Sequence, residues 1–248
     1  MACSSLRACC LAAFLALLGT TVLSVSGFGA AVLAQSPNQQ TAAAPIVRLP
    51  DSSKMAAPGA TLALDASQRA MVDKVSAYLS GIQTMTGDFV QIGPDGKRTE
   101  GEFFIQKPGK VRFNYSPPSP IDIIADGSTV AVRDRTLATQ DLYPLSQTPL
   151  RFLLADKLNL LRDTNLVGVY ADDVFTTVVI EEKQALVGTS RLMLMFGAKD
   201  NQLRQWTVTD PQGYDTTVAV YNLDTTKKPD PSMFKIDFTR YPGSSSPG

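Results

Sequence analysis

Two glutamates, Glu100 and Glu102, come closest in this sequence to an acid–base pair. They lie two residues apart in a predicted strand, so both side chains point to the same side of it. Such a pair suits a glycosidase only where an opposing partner and a sugar groove exist. The alternative interpretation is a pair of solvated charges at a strand edge, and the sequence favours it.

Other catalytic chemistry lacks its residues. The sequence has no histidine, and its three cysteines, Cys3, Cys9 and Cys10, all lie in the first ten residues. This excludes Ser-His and Cys-His catalysis and His-ligated zinc. The segment GPDGKR at 93–98 is only faintly similar to a phosphate loop, and it predicts a hairpin turn. We therefore predict no enzyme, no cofactor and no metal site.

The charge balance bears on the partners. The chain has 23 basic and 23 acidic residues, which provides no broad basic surface for a polyanion. We therefore predict no nucleic-acid partner.

The N-terminal segment has the layout of a secretory signal peptide. Arg7 precedes an apolar run at 11–18, and small residues end at Ala34. The alternative, a membrane anchor, is disfavoured because residues 19–21 (GTT) interrupt the run too early. We predict cleavage after Ala34, which removes residues 1–34 and leaves a cysteine-free exported chain that cannot form disulfides.

The remaining chain divides by composition. Residues 35–64 are rich in Ala, Pro, Ser and Gln and predict a flexible linker, and residues 242–248 predict a disordered tail. Between them, residues 65–241 predict one domain. It begins with a helix, because Asp65 and Gln68 resemble a capping box. An apolar stripe follows on one face of this helix: Met71, Val75, Leu79 and Ile82.

About ten strand-like runs follow, separated mostly by turn signals, and they predict a meandering antiparallel sheet. One segment, 147–161, instead predicts a short helix with Thr148 as its N-cap and Pro149 at its first position. This helix is apolar on most sides. It should plug a barrel mouth, cover a curved sheet or act only as a packing helix.

The strand patterns indicate an apolar interior. The run KVRFNY at 110–115 alternates, whereas the runs at 174–182 and 191–196 carry apolar residues on both faces. Strands of the second kind need cover on both sides, which fits a sheet wrapped around an apolar interior. Periodicity leaves open whether that interior is a packed core or a cavity.

Residues 89–132 resemble the LolA family of periplasmic lipoprotein carriers, and the resemblance extends over 65–238. The matching residues are Phe89, Gln91, Gly101, Pro108, Gly109, Val111, Arg112, Phe113, Pro120, Asp126, Gly127, Thr148, Pro149, Leu150, Phe234 and Phe238. The resemblance implies a mainly β fold with helices: an unclosed, strongly curved antiparallel β-barrel, lidded by short helices, that encloses an apolar cavity.

The resemblance also implies a function. Such a carrier shields the acyl chains of lipoproteins and takes them from an inner-membrane ATP-driven transporter to an outer-membrane receptor. We expect a periplasmic monomer whose concave face binds acyl chains through Val111, Phe113, Ile123, Leu150, Leu153 and Trp206. The alternative is a periplasmic sensor of lipid or lipoprotein on the same fold, although such sensors usually carry an additional domain.

Lys107 departs from the family pattern. Many relatives carry arginine before the turn proline, where it is thought to bond the backbone of a lid helix and hold the cavity shut. By resemblance Lys107 would be a less rigid latch, since an ammonium lacks the fixed fork of a guanidinium. The alternative is a solvated turn charge.

Overall fold

The computed structural model describes residues 63–184 and 188–238 of the 248-residue chain. The predicted signal peptide and tail, and nearly all of the predicted linker, lie outside the described residues. The predicted domain boundaries therefore stay predictions.

Eleven antiparallel strands form a single sheet in the described part of the chain, one more than the ten or so that the sequence indicated. Their order is β6-β5-β4-β3-β2-β1-β11-β10-β9-β8-β7. The strands are β1 Thr84–Ile92, β2 Arg98–Gln106, β3 Lys110–Tyr115, β4 Ile121–Asp126, β5 Thr129–Asp134, β6 Thr139–Pro144, β7 Asn165–Ala171, β8 Phe175–Gln184, β9 Gly188–Gly197, β10 Leu203–Thr209 and β11 Asp215–Asp224.

The sheet is curved but unclosed, as predicted. Its two edge strands, β6 and β7, follow one another in the chain and are not paired with each other. Residues 145–164, which connect them, contain two short helices, α2 (Leu150–Leu154) and α3 (Leu160–Asp163). The connection between the edges of the sheet therefore also supplies helices to cover its concave side.

Helix α1, Ala66–Gly81, begins as predicted. Gln68 donates its backbone N–H to Asp65 Oδ1 at 2.8 Å, and Asp65 N–H donates to Gln68 Oε1 at 3.0 Å, which completes the capping box. The stripe that packs on the sheet differs slightly from the prediction. Val72 is buried beside Val75 and Leu79, whereas Met71 is half-buried.

The prediction of one helix over 147–161 is wrong: the segment contains α2 and α3 with an extended stretch between them. The reason is tertiary. Leu158 N–H donates to Ser80 Oγ at 3.0 Å and Leu160 N–H donates to Ser76 Oγ at 3.1 Å, so two hydroxyls of α1 satisfy backbone that an uninterrupted helix would satisfy internally.

The predicted N-cap of this segment is also wrong by one residue. The N-cap of α2 is Pro149, and the Thr148 hydroxyl donates to the carbonyl oxygen of Leu145 at 2.9 Å. Leu145–Gln147 form a 3₁₀ turn, so Thr148 closes that turn instead of capping the helix.

The inner face of the sheet holds the main core, and β3 shows how the sequence specifies it. Val111, Phe113 and Tyr115 are buried, while Arg112 and Asn114 alternate with them and are partly exposed. On the outer face, the 3₁₀ turn Pro231–Phe234 packs over β3 and β4.

The β1–β2 connection is the hairpin turn predicted for GPDGKR. Gly96 adopts φ +75° and donates its N–H to the carbonyl oxygen of Gly93 at 2.9 Å. A second glycine is required by close approach: a Cβ on Gly101 would lie 2.0 Å from the carbonyl oxygen of Asn114.

Within residues 63–184 and 188–238, no helix has the length and apolar character needed to span a bilayer.

Candidate functional site

A small cavity lies between the inner face of the sheet and α2. Five of the six residues predicted to bind acyl chains line it: Phe113, Ile123, Leu150, Leu153 and Trp206. The other lining residues are Gln91, Tyr115, Pro149, Leu192, Val208, Thr216 and Val218. The structure thus brings together residues from β1, β3, β4, β9, β10, β11 and α2.

The sixth predicted residue, Val111, lies elsewhere in the same core. Its side chain is fully buried, and it packs in the main apolar cluster without lining the cavity.

Register explains how distant residues meet in this cavity. Trp206 of β10 lies opposite Leu194 on one side and Val218 on the other. The rings of Trp206 and Phe113 have centroids 6.2 Å apart, so the curved sheet brings β3 and β10 into contact across its concave side. Paired strands alone would not bring them together, because β2, β1 and β11 separate them.

The cavity has a volume of about 70 Å³. Since a site needs about 10–15 Å³ of such space to hold one water, this cavity has room for only a few waters. An acyl chain is much larger, so it could enter only if the helices that cover the concave face moved.

Lys107 is hydrogen-bonded to α1, one of these helices. Its side chain is 7% exposed, and Nζ donates to the carbonyl oxygen of Leu79 in the last turn of α1 at 2.5 Å. Burial lowers the pKa of Lys107 to about 8, and the carboxylate of Asp156 acts in the opposite direction. The position of Lys107 is therefore not that of a solvated turn charge.

The turn that carries Lys107 contacts both covering helices. The backbone N–H of Gly109 donates to the carbonyl oxygen of Leu154, the last residue of α2, at 2.9 Å. The backbone N–H of Lys107 donates to the carbonyl oxygen of Gln83, just beyond α1, at 2.8 Å. We call residues 107–109 the clasp turn.

Three residues of the cavity wall that the sequence did not predict there are polar: Gln91, Tyr115 and Thr216. Gln91 is 3% exposed, and its Oε1 accepts a hydrogen bond of 2.7 Å from the hydroxyl of Tyr115. A signal for Gln91 and Tyr115 was available, because each lies two residues after a buried phenylalanine on its strand, Phe89 on β1 and Phe113 on β3, and therefore shares its inward face.

The glutamate pair lies away from this cavity. Glu100 and Glu102 are exposed on the outer face of β2, and Glu100 pairs with Arg98 at 2.7 Å. Strand β2 is paired on both sides, so these are charges on a sheet face, and the prediction of a strand edge is wrong. Among the described residues, no cluster of three or more Asp, Glu, His or Cys residues could hold a metal ion.

A larger groove of about 510 Å³ lies on the outer face of β8 to β11, with Phe175, Met195, Gln205 and Tyr221 in its lining. None of the residues predicted to bind acyl chains lies there.

Comparison with known proteins identifies the family. The family model described as "Outer membrane lipoprotein carrier protein LolA" matches residues 80–237, which is more than half of the chain. The chain belongs to the LolA family. The match takes in every strand and both short helices, and it leaves out most of α1.

Curated relatives agree with this assignment. The outer-membrane lipoprotein carrier protein of Chromobacterium violaceum is 29% identical over 161 residues, covering 62% of this chain and 76% of that protein. The protein of the same name from Chromohalobacter salexigens is 25% identical over 191 residues, covering 72% and 90%.

Among solved structures, a LolA superfamily protein from Nitrosomonas europaea aligns with 67% of this chain and 98% of its own, with a TM-score of 0.37 and 11% identity. MucB aligns with 70% of this chain and 64% of its own, with a TM-score of 0.37 and 15% identity.

Membership supports, at the level of the family, a lipoprotein carrier that is not an enzyme, has lipoprotein cargo and works in the periplasm.

Proposed function

We propose that this protein is a periplasmic carrier that encloses the acyl chains of lipoproteins between the concave face of its sheet and the helices α1 and α2. The observation that carries the proposal is the apolar cavity that Phe113, Leu153 and Trp206 line beneath α2. In this proposal the carrier receives cargo from an ATP-driven transporter of the inner membrane and delivers it to a receptor of the outer membrane.

The free energy of an exposed acyl chain makes enclosure necessary. Each methylene group costs about 0.8 kcal/mol in water, so a chain of about fifteen methylenes costs roughly 12 kcal/mol. A cavity and a bilayer are similarly apolar, and transfer between them can be nearly balanced. The direction of lipoprotein transfer would then be set by the transporter and the receptor.

We further propose that opening begins at the clasp turn. The bond from Lys107 to Leu79 and the bond from Gly109 to Leu154 hold α1 and α2 against the same turn. Each such bond contributes only about 1 kcal/mol net, or somewhat more where the donor is charged. Burial of a few methylenes therefore offsets the loss of both bonds, and the remaining cost is the apolar contact between helix and sheet.

Depletion in the native host tests the role. We expect outer-membrane lipoproteins to accumulate in the inner membrane, measured by membrane fractionation and immunoblotting, with re-expression of the wild-type chain as the control. A normal lipoprotein distribution combined with an altered envelope-stress response would contradict the carrier and support the sensor.

Displacement of an apolar fluorescent probe tests the site. An acylated lipopeptide should displace the probe from the purified protein, and the same peptide without its acyl chains should not. Equal competition by the two peptides would show that the site recognises peptide and not lipid.

A further inference from the structure

The carboxamide of Gln91 is an unusual group in the wall of an apolar cavity. Its Nε2 is buried and has no hydrogen-bond partner within the described residues. A buried donor left unpaired is costly, and most buried polar groups in folded proteins are paired. Because Gln91 lines the cavity, we expect this N–H to meet its partner on a ligand that enters the cavity.

Tyr115 fixes which end of the carboxamide remains free. Its hydroxyl donates to Gln91 Oε1, and the opposite orientation of the amide would leave the hydroxyl hydrogen without that acceptor. Burial raises the pKa of the Tyr115 phenol, so this group stays a protonated donor. Tyr115 is thus a positioning residue: by binding Oε1 of Gln91, it leaves Nε2 as the end of the carboxamide that is available to a ligand.

A second polar atom lies beside Gln91. Thr99 is directly opposite Gln91 in the pairing of β1 with β2, so both side chains lie on the inner face. The hydroxyl oxygen of Thr99 is also buried without a hydrogen-bond partner within the described residues. On its other side, Gln91 lies opposite Val218, which lines the cavity.

We propose that Gln91, with Thr99 beside it, is a subsite that donates a hydrogen bond to the carbonyl oxygen of an acyl linkage, ester or amide. This inference rests on the proposed function, because it assumes that an acyl chain occupies the cavity. A hydrocarbon chain offers no acceptor, and the carbonyl that joins it to its head group is the nearest one. An N–H donor also excludes a cation as the ligand.

The subsite would make the carrier sensitive to how a chain is linked as well as to its length. A ligand with the same chains joined by ether bonds fills the cavity equally well but lacks the carbonyl. Gln91 would then select acyl over alkyl lipids. It would also fix how deep a chain sits, since the carbonyl must stop beside Nε2.

The test compares two synthetic lipopeptides with identical peptides and chain lengths, one with ester-linked acyl chains and one with ether-linked alkyl chains. Their dissociation constants are measured by displacement of an apolar fluorescent probe. We expect the wild-type protein to bind the ester ligand about fivefold more tightly, in line with one net hydrogen bond. Gln91→Met, which keeps the length of the side chain, should abolish that preference, and Tyr115→Phe should reduce it.

Gln205→Met is the matched control. Gln205 is a second buried strand glutamine, 4% exposed, but it lines the outer groove. Its replacement should leave the preference unchanged. If Gln91→Met is unstable, Thr99→Val provides a second test, and it should weaken the preference without removing it.

Each outcome separates the subsite from the carrier role. Equal affinities of the wild-type protein for the ester and ether ligands would overturn the subsite and leave the carrier intact. Tighter binding of the ether ligand would mean that Nε2 holds a water, which also overturns it, as would a preference that persists in Gln91→Met. Failure of both ligands to displace the probe would overturn the proposed function itself.

Discussion

The ammonium group of Lys107 and the carbonyl oxygen of Leu79 form a buried hydrogen bond of 2.5 Å that joins the clasp turn to the last turn of α1. Because this cation is desolvated in the closed arrangement, its proton equilibrium is coupled to the position of the helix.

The first prediction concerns pH. The pKa of Lys107 is about 8 in the closed arrangement and should return to the ordinary 10.5 if opening brings the ammonium into water. Above pH 8 the closed arrangement binds fewer protons, so raising the pH towards 10.5 favours it. We expect an apolar probe to bind at least about tenfold more weakly at pH 10 than at pH 8, since each pKa unit corresponds to a factor of ten.

Lys107→Arg is the control for this prediction, because a guanidinium keeps its charge throughout that range. The affinity of this variant for the apolar probe should not show the decrease between pH 8 and pH 10 that the titration of Lys107 causes in the wild-type protein. The same decrease in both proteins would assign the effect to other titrating groups and remove Lys107 from the closure equilibrium.

A second prediction concerns Ser76, whose Oγ accepts the backbone N–H of the fully buried Leu160. Ser76→Ala leaves that donor unpaired, and we expect the free energy of unfolding to fall by about 1–3 kcal/mol in urea denaturation. Ser67→Ala, at an exposed position of the same helix, should change it by less than about 0.5 kcal/mol. Equal losses would mean that the contact between α1 and Leu160 does not contribute.

The third prediction uses Trp206, the single tryptophan of the chain, which is 5% exposed and lines the cavity. Without ligand its fluorescence should resist quenching by acrylamide. An acylated lipopeptide should shift its emission, because the chains replace the neighbours of the indole ring. An emission spectrum unchanged at saturating ligand would place the acyl chains elsewhere, and the outer groove would be the next site to examine.

The fourth prediction contrasts two glycines. Gly101→Ala would force a Cβ against the Asn114 carbonyl oxygen of the neighbouring strand, and we expect it to destabilise the fold by at least about 3 kcal/mol. In Gly81→Ala, at the end of α1, the added Cβ meets nothing within 4 Å. This substitution should be neutral or stabilise the fold by up to about 1 kcal/mol. Thermal unfolding of both variants measures the difference. A mild effect at Gly101 would require that β2 and β3 can separate locally.

The fifth prediction concerns maturation. The sequence expectation of cleavage after Ala34 predicts an intact mass that begins at Gln35, without an attached lipid, in protein isolated from the periplasm. An uncleaved N-terminus, or an acyl group on Cys3, Cys9 or Cys10, would replace the soluble carrier with a membrane-tethered form.

Local patterns in the sequence were enough to predict the sheet and the start of α1, and the family resemblance added five of the twelve residues of the cavity wall. The alternation of Val111, Phe113 and Tyr115 gave the inner face of β3, and the capping residues gave the start of α1. Such features depend on neighbours within a few positions, which a sequence displays directly.

The errors arise where distant residues decide the structure. The break between α2 and α3 depends on Ser76 and Ser80, about 80 positions away from their partners. Val111 has the same inward orientation as Phe113, yet Phe113 lines the cavity and Val111 does not, a difference that alternation along β3 cannot predict. Similarly, alternation predicts that the side chain of Gln91 points inward. It does not predict that Nε2 lacks a hydrogen-bond partner within the described residues, because the neighbours of Gln91 are set by the register between β1, β2 and β3.

The missing pairing between β6 and β7 has a mechanical consequence. In a closed barrel, the number and stagger of the strands fix the radius, and widening it would break strand hydrogen bonds. Here the two edges can separate while every ladder stays intact, because only the connection at residues 145–164 joins them directly. Under the proposed carrier role, we therefore expect the interior to widen with the number and length of the acyl chains it receives, so that one scaffold would serve cargo of different sizes.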